Sequence, residues 1–226
     1  MNVSTRGLIE IMSHEGICLE PYLDSVGVWT IGVGQTKSDD IDPKTMGKIT
    51  LQQAIDLFKR KIKQYTNAVD ALHLDLKQHQ YDALTSLCYN FGPGNLRKLC
   101  NGRSLEQIGE AIMLYTKPPE ITERRHKEQR LFKAGQYSNT DGRILVFPVV
   151  NNHPRYRDGY KIDARPYFGM STAGKVGSTA VGGAVVGGAA AAAASAGWSW
   201  IEIGLTALIA VGIITAIVFF IKKVRS

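Results

Sequence analysis

The N-terminal residues carry the amphipathic pattern of an α-helix. Apolar residues recur at helical spacing between Leu8 and Met12, after a Ser4-Thr5 pair that can supply the N-cap. Glu15 falls on the same apolar stripe, directly before Gly16, and glycine commonly ends helices. The pattern predicts a helix whose last turn carries a partly desolvated carboxyl group.

A strand pattern follows a predicted turn at residues 25–27. Apolar residues alternate there with threonine or glycine: Trp29, Ile31 and Val33 on one face, and Thr30, Gly32 and Gly34 on the other. Glycines opposite an apolar face often mark a place where a ligand or another backbone approaches closely. We therefore expect Thr30 at the floor of an accessible cleft.

The pattern of the following residues, up to about residue 135, is mostly helical. Thr50 and Gln53 form a capping-box pattern before a long amphipathic run from Leu51 to about Leu72. Further helices are predicted in an apolar segment, in an amphipathic segment and in one that starts with a proline pair: residues 80–92, 104–116 and 118–135. The predicted fold class is α+β, a mostly helical domain with a small N-terminal β-hairpin or sheet.

The C-terminal part divides into three regions. Residues 136–172 contain a strand pattern and then basic, aromatic, turn-rich sequence, which indicates an extension packed on the domain or a separate contact arm. Residues 203–221 are uncharged and apolar over about the length of a bilayer span, with tryptophans on one side and basic residues on the other. We expect a folded domain over 1–135, the extension over 136–172, a Gly/Ala-rich segment over 173–197 and a transmembrane helix within 198–226.

The Gly/Ala-rich segment leaves three interpretations open. It is a flexible tether, a weakly hydrophobic second span, or a helix that packs through small residues such as Gly183 and Gly187. With one span, the basic C-terminus favours the cytoplasm and the N-terminal domain lies outside it. With a hairpin of two spans, the domain stays in the cytoplasm.

Composition narrows the partners only slightly. The formal net charge is +7, which suits nucleic acid, anionic lipid headgroups or acidic envelope polymers equally well. Basic and aromatic residues alternate in residues 155–168 as they do in single-strand binders. Because a membrane span follows, we expect contacts with the envelope and no nucleic acid. The N-terminus lacks the pattern of an ordinary signal peptide.

The three cysteines, Cys18, Cys88 and Cys100, are an odd number without metal-ligand spacing. They predict buried, reduced side chains. We expect no metal and no cofactor.

Two carboxylates near the predicted turn suit glycosidic bond cleavage. That reaction needs a proton donor for the leaving oxygen and a second carboxylate that attacks the sugar or positions a water. Glu15 fits the acid, Asp24 fits the ionised partner, and Thr30 would hold a water near it. Glu20, Asp39 and Asp40 are alternative carboxylates. His14 is expected at the surface, pointing away from Glu15.

Glu15, Asp24 and Thr30, with their spacing and the sequence EGICLEPYLDSVGVWTIGVGQT around them, resemble the catalytic signature of the phage-type lysozymes, glycoside hydrolase family 24. The resemblance covers residues 6 to about 135. It rests also on a first helix (GLIEIMSHEG), a central helix (QYDALTSLCYNFGPGNL) and a late arginine-rich helix (RRHKEQRLF).

The resemblance implies a muramidase that hydrolyses the β-1,4 bond between N-acetylmuramic acid and N-acetylglucosamine in peptidoglycan. Glu15 would be the general acid, Asp24 the second carboxylate and Thr30 the residue beside the attacking water. Arg124 matches an arginine near the catalytic glutamate. The remaining residues of the cleft lining would be Tyr22, Gly34, Tyr89 and Asn90.

Three departures separate the chain from the family pattern. Gln35 occupies the usual place of a histidine, which puts stability rather than activity in question. Glu120 replaces a common glycine before the arginine pair, and the apolar tail is unusual in its position.

With its tail, the protein is expected to be a phage endolysin in the host inner membrane. Its catalytic domain would act in the periplasm, and a holin or other lysis protein is a further expected partner. Three alternatives remain: a virion-associated lysozyme used during infection, an inactive lysozyme-like module whose tail is the functional part, and a lytic transglycosylase, which needs only the acid.

Overall fold

The computed structural model describes residues 1–38 and 40–170. Within them the fold is mostly helical with a small antiparallel sheet, as the α+β expectation had it. The helices are α1 (Thr5–Glu15), α2 (Pro43–Met46), α3 (Leu51–Asp70), α4 (Gln78–Phe91), α5 (Pro93–Cys100), α6 (Leu105–Ala111) and α7 (Thr122–Ala134). The strands are β1 (Cys18–Leu23), β2 (Trp29–Gly32), β3 (Gln35–Thr36), β4 (Arg143–Val146), β5 (Val149–Val150), β6 (His153–Pro154) and β7 (Tyr160–Asp163).

Helix α1 begins and ends where the sequence predicts. The Ser4 hydroxyl accepts a hydrogen bond from the Gly7 N–H at 3.0 Å, so one of the free donors of the first turn is satisfied. Gly16 has a φ of 71° and donates its N–H to the carbonyl of Met12 at 2.9 Å. Because this backbone region favours glycine, the helix stops directly after Glu15.

The first sheet has the strand order β1-β2-β3, with β2 in the centre and all strands antiparallel. Tyr22 lies opposite Thr30, and the register of β1 is irregular between Cys18 and Tyr22. Helices α2 and α3 pack against β2. The sheet therefore joins the end of α1 to the helical body.

The helical body surrounds α4, which is buried at every residue from Tyr81 to Phe91 and packs against α1, α3, α5 and α7. The capping box predicted for α3 is present, since Gln53 N–H donates to the Thr50 hydroxyl at 3.2 Å and Thr50 N–H donates to the Gln53 side chain at 2.8 Å. The helix predicted over 104–116 is shorter, because α6 gives way to a 3-10 turn at Ile112–Leu114.

Residues 136–170, the C-terminal extension, contain more strands than the single one predicted. β4 pairs with β7 and β5 pairs with β6, both antiparallel. Ile17, between α1 and β1, forms a parallel bridge with Val146, and the N–H of Leu23 donates to the carbonyl of Asn152 at 2.8 Å. These backbone contacts attach the extension to the N-terminal part of the chain, next to α1 and β1. The sequence pattern of the extension does not predict them, because they pair residues that are far apart in the chain.

The predicted tether over 173–197 and the predicted transmembrane helix within 198–226 lie outside the described residues. Among the helices of residues 1–38 and 40–170, none is both long and apolar enough to cross a bilayer. All three cysteines are buried and free, as predicted.

Candidate active site

Glu15 ends α1 with its carboxylate turned into the protein. Only 6% of its side chain is exposed, and its Oε1 lies 2.8 Å from Nη1 of Arg124 on α7. Arg124 is equally buried, with 3% of its side chain exposed. The arginine that the resemblance to phage-type lysozymes implied near Glu15 is therefore its direct ionic partner.

Arg124 belongs to a buried network of charged and polar side chains. Its Nε lies 3.0 Å from Oε1 of Glu128, one helical turn further along α7. Glu128 also pairs with Arg125 and accepts a hydrogen bond from the Ser86 hydroxyl at 2.6 Å. Burial opposes ionisation of Glu128, but the two arginines outweigh it and hold the pKa of this carboxyl below its usual value.

Asp24 is held by its own turn. Its Oδ1 accepts hydrogen bonds from the N–H groups of Val26 at 3.0 Å and Val28 at 2.8 Å. Oδ2 is buried and has no hydrogen-bond partner among the described residues. One oxygen thus fixes the carboxylate, and the other keeps its acceptor capacity.

Thr30 is not at an accessible cleft floor, as the sequence had suggested. It is 0% exposed, because it lies in the central strand β2, with β1 and β3 on its two sides and helices packed on the sheet. Its hydroxyl donates a hydrogen bond to the carbonyl of Val28 at 3.1 Å. Thr30 therefore braces the residue whose N–H binds Asp24.

A cavity of about 20 Å³ lies directly beside Glu15. Its walls come from the end of α1, from the first sheet and from the C-terminal extension: Glu15 and Gly16, then Cys18, Tyr22, Gly32 and Gly34, then Phe147 and Tyr156. Tyr22 and Gly34, predicted as cleft residues, are among them. Burial raises the pKa of Tyr22 well above its usual value, and the charges of Asp24 and Glu15 add to the rise. The Tyr22 hydroxyl thus stays protonated beside both carboxylates.

Tyr89 and Asn90, the other two predicted cleft residues, lie in the core instead. Tyr89 is 5% exposed, donates its hydroxyl hydrogen to the carbonyl of Val33 and packs against Phe58 and Tyr65. Asn90 is 3% exposed and accepts a hydrogen bond from Arg125. Both residues belong to the buried helix α4.

Lys61 on α3 is a cation that the sequence did not single out. Its Nζ donates a hydrogen bond to the carbonyl of Gly34 at 2.5 Å. Burial lowers the pKa of Lys61 to about 8, although the charge of Glu15 opposes this shift. Lys61 also lines a second cavity of about 410 Å³ between β3 and α3, whereas Gly34, whose carbonyl it binds, lines the cavity beside Glu15.

A third carboxylate, Glu10, joins α1 to the extension. It accepts hydrogen bonds from the Ser138 N–H at 3.0 Å, the Ser138 hydroxyl and the Asn139 N–H at 2.8 Å. His14 lies 3.5 Å from Glu10 and has only 8% of its side chain exposed. The prediction of a surface position for His14 was wrong, because its spacing from Glu10 places it beside that buried carboxylate.

The structure shows where two of the departures from the family pattern, Gln35 and Glu120, lie. Gln35 is 2% exposed, and its side chain accepts from the N–H of Val33 at 2.6 Å and donates to the Val33 carbonyl at 3.2 Å. Glu120 is exposed in a 3-10 turn that leads into α7. Of the alternative carboxylates, Glu20 is partly exposed and pairs with Lys48 at 3.1 Å, Asp40 is exposed, and Asp39 lies outside the described residues.

Sequence reasoning missed two groups of residues around the site. Glu128 follows Arg124 by one helical turn, a spacing that signals an ion pair on a helix. Phe147 and Tyr156 carried no comparable signal, because long-range contacts such as the pairing of Ile17 with Val146 bring the extension to Glu15.

The chain is similar to known proteins over the residues that form this site. The model of the phage lysozyme family matches residues 12–128. The endolysin of Salmonella phage P22 is 33% identical over 144 residues, which cover 58% of this chain and 98% of that protein. The SAR-endolysin of Haemophilus phage HP1 is 35% identical over 97 residues, covering 42% of this chain and 50% of that protein.

A solved structure gives the same result. The endolysin from Escherichia coli O157:H7 phage FAHEc1 superposes with a TM-score of 0.57 at 28% identity, over 62% of this chain and 98% of that chain. The residues matched by the family model include Glu15, Asp24, Thr30 and Arg124, whereas the C-terminal extension lies beyond them.

Proposed function

The chain belongs to the phage lysozyme family, and on that premise we propose that Glu15 and Asp24 are the two carboxylates with which it cleaves the glycan. The protein is a peptidoglycan muramidase, and therefore a glycoside hydrolase. The bond it cleaves is the β-1,4 bond between N-acetylmuramic acid and N-acetylglucosamine. The observation that carries the residue assignment is the position of Glu15, which lines the small cavity and whose carboxylate pairs with Arg124.

Glu15 acts as the general acid and gives a proton to the leaving oxygen. After the transfer, Arg124 pairs with the carboxylate that remains, since Nη1 of Arg124 lies 2.8 Å from Oε1 of Glu15. Asp24 acts as the second carboxylate through Oδ2. Thr30 is a positioning residue, since its hydroxyl holds the Val28 carbonyl while the Val28 N–H holds Asp24.

The test is Glu15→Gln, which removes the transferable proton and keeps the size of the side chain. We expect hydrolysis of purified peptidoglycan to fall by roughly 10³-fold or more. Product analysis by mass spectrometry of the parent digest is expected to show N-acetylmuramic acid at the new reducing ends. Glu20→Gln, at a partly exposed glutamate of β1, is the matched control and is expected to retain activity. Parent-like hydrolysis by Glu15→Gln would contradict the assignment.

We further propose that residues 1–170 form the catalytic unit and that the apolar segment 203–221 anchors it in the host inner membrane, with the unit acting in the periplasm during phage lysis. The length of that segment and its tryptophan and basic flanks support the anchor. A holin or another lysis protein is the partner that this arrangement requires if the tail forms a hairpin, because the catalytic unit then needs a separate membrane lesion to reach the wall.

Cell fractionation and protease accessibility test this proposal. The full-length protein is expected to sediment with membranes, whereas a protein truncated after Met170 is expected in the soluble fraction with its wall hydrolysis retained. Proteinase K added to spheroplasts is expected to digest the catalytic unit of the full-length protein. A full-length protein that stays soluble would contradict the anchor, and protection from the protease would favour the hairpin.

A further inference from the structure

The cavity beside Glu15 is closed on one side by the C-terminal extension. Its volume of about 20 Å³ is close to the space that one water molecule needs, so a saccharide ring has no room in it. Glu15 is otherwise buried, with its carboxylate against Arg124. Glu15 lines this cavity, so its other walls are the residues that a glycan at Glu15 would meet.

Two aromatic walls of the cavity are anchored firmly. Tyr22 is 8% exposed and lies in β1, opposite Thr30. Phe147 is 3% exposed, and its backbone N–H donates to the carbonyl of Ile17 at 2.8 Å. The Phe147 ring also packs so closely on Gly16 that a Cβ there would overlap with it. Neither side chain is placed to move aside.

Tyr156 is the aromatic wall with the weakest attachment. Tyr156 is only half-buried. It begins the 3-10 turn Tyr156–Asp158, which lies between strand β6, of two residues, and strand β7. Its ring packs edge-on against Phe147, with the centroids 5.1 Å apart. Burial raises the pKa of Tyr156 above its usual value, so its hydroxyl stays protonated.

We propose that Tyr156 is a substrate-binding residue of the muramidase, and that Phe147 is its positioning residue. When the glycan enters, the Tyr156 ring turns away from the cavity and its face lies against the sugar next to Glu15. Aromatic rings carry a large apolar surface and a polar hydroxyl, which suits a sugar ring with its apolar face and polar edge. The proposal rests on the proposed function, and it assigns part of glycan recognition to a segment beyond residues 12–128.

The kinetic test compares Tyr156→Ala with Tyr156→Phe in the full-length protein, purified in a mild detergent. The substrate is soluble, uncross-linked peptidoglycan glycan strands. Losing one aromatic contact is expected to raise KM roughly threefold to tenfold while kcat stays within about twofold. Tyr156→Phe retains the ring and is expected to keep KM within about twofold of the parent.

Tyr160→Ala is the matched control. Tyr160 is a tyrosine of the same extension, on β7 and 48% exposed, and it does not line the cavity. Its replacement is expected to leave both kinetic constants unchanged. An unchanged KM in Tyr156→Ala would overturn the proposal, and so would an increase in kcat/KM, which would make Tyr156 a lid without contact to the sugar.

Phe147→Leu tests the positioning role. Alone, it is expected to raise KM in the same direction as Tyr156→Ala, with kcat retained. In the Tyr156→Ala background it is expected to have no further effect on KM, because residues that act through one contact are not additive. Additive effects on KM would overturn the positioning role, and thermal denaturation separates any loss of stability from the change in KM.

A binding measurement keeps this proposal separate from the proposed function. In the Glu15→Gln background, equilibrium binding to the same glycan strands is expected to weaken roughly threefold to tenfold on Tyr156→Ala. If Glu15→Gln remains fully active, the catalytic assignment fails, and the KM comparison of Tyr156→Ala with Tyr156→Phe then decides the role of Tyr156. Unchanged binding with an inactive Glu15→Gln overturns the Tyr156 proposal alone.

Discussion

Glu15 and Asp24 occupy neighbouring elements, but the groups that hold them come from very different distances along the chain. Glu15 pairs with Arg124, a side chain on the last helix of the body, which is itself held by Glu128. Asp24 accepts hydrogen bonds from backbone N–H groups of its own turn, at Val26 and Val28. The ionic network around Glu15 is broken when one of its side chains is replaced. The hydrogen bonds to Asp24 come from backbone N–H groups, which remain when neighbouring side chains are replaced. The two carboxylates should therefore respond differently to substitution.

Arg124→Met removes the arginine that pairs with both Glu15 and Glu128. Breaking a buried ion pair leaves a charge uncompensated, so the free energy of unfolding is expected to fall by about 3–5 kcal/mol. Chemical denaturation measures this loss. Arg130→Met is the control on the same helix, because the Arg130 and Glu123 side chains are about half exposed and lie 3.7 Å apart. Arg130→Met is expected to lower the free energy of unfolding by less than about 1 kcal/mol. Equal losses in the two variants would contradict a larger stabilising role of the buried network.

Glu10 is held both by backbone groups and by a side chain. It accepts hydrogen bonds from the N–H groups of Ser138 and Asn139, and His14 lies 3.5 Å from its carboxylate. Burial opposes ionisation of Glu10, but His14 and these hydrogen bonds outweigh it and lower the pKa to about 2 from an ordinary 4.5. A lowered folded-state pKa adds stability above pH 4.5, and this stability is lost as pH falls through about 2.

Between pH 4.5 and 2 the free energy of unfolding is expected to fall by about 3 kcal/mol. Chemical denaturation at several pH values measures this loss. Glu10→Gln removes the titrating group and should have a flatter stability profile between pH 4.5 and 2. The same slope in both proteins would show that Glu10 does not link the extension to α1 in this way.

Asp24→Asn tests the local side of the comparison. The asparagine Oδ1 can still accept from Val26 and Val28, so the melting temperature is expected to stay within about 3 °C while hydrolysis falls by roughly 10²-fold. Reducing-end assay and mass spectrometry measure the products. Retained activity with 1,6-anhydro products would instead identify a lytic transglycosylase, which needs only Glu15.

Gly16→Ala tests the contact between the end of α1 and the extension. A Cβ at Gly16 would overlap with the Phe147 ring, in addition to the strain of a φ of 71°. Gly27→Ala has a similar φ of 78° but no atom within 4 Å of the added Cβ, so it reports the strain alone. We expect Gly16→Ala to cost about 1–3 kcal/mol more than Gly27→Ala in the free energy of unfolding. Equal costs would show that the extension gives way at Phe147.

Much of the fold was predictable where its causes are local. The ends of α1, the capping box of α3 and the stop of α7 at Gly135 depend on side chains and backbone within one or two helical turns. The place of Asp24 beside its turn is local in the same sense. The ionic partner Arg124 was assigned through the resemblance to phage-type lysozymes, because residues so far apart in the chain leave no periodic signal.

The sequence by itself determined α1, α3, α4 and α7, the first hairpin and the position of Glu15 at a helix end. Only the tertiary structure decided that Thr30 is fully buried, that His14 lies beside Glu10, and that Tyr89 and Asn90 belong to the core. It also brought Phe147 and Tyr156 to Glu15. The physical reason is that burial and contacts between distant segments depend on how elements pack, whereas capping, turns and amphipathic spacing depend on neighbours in the chain.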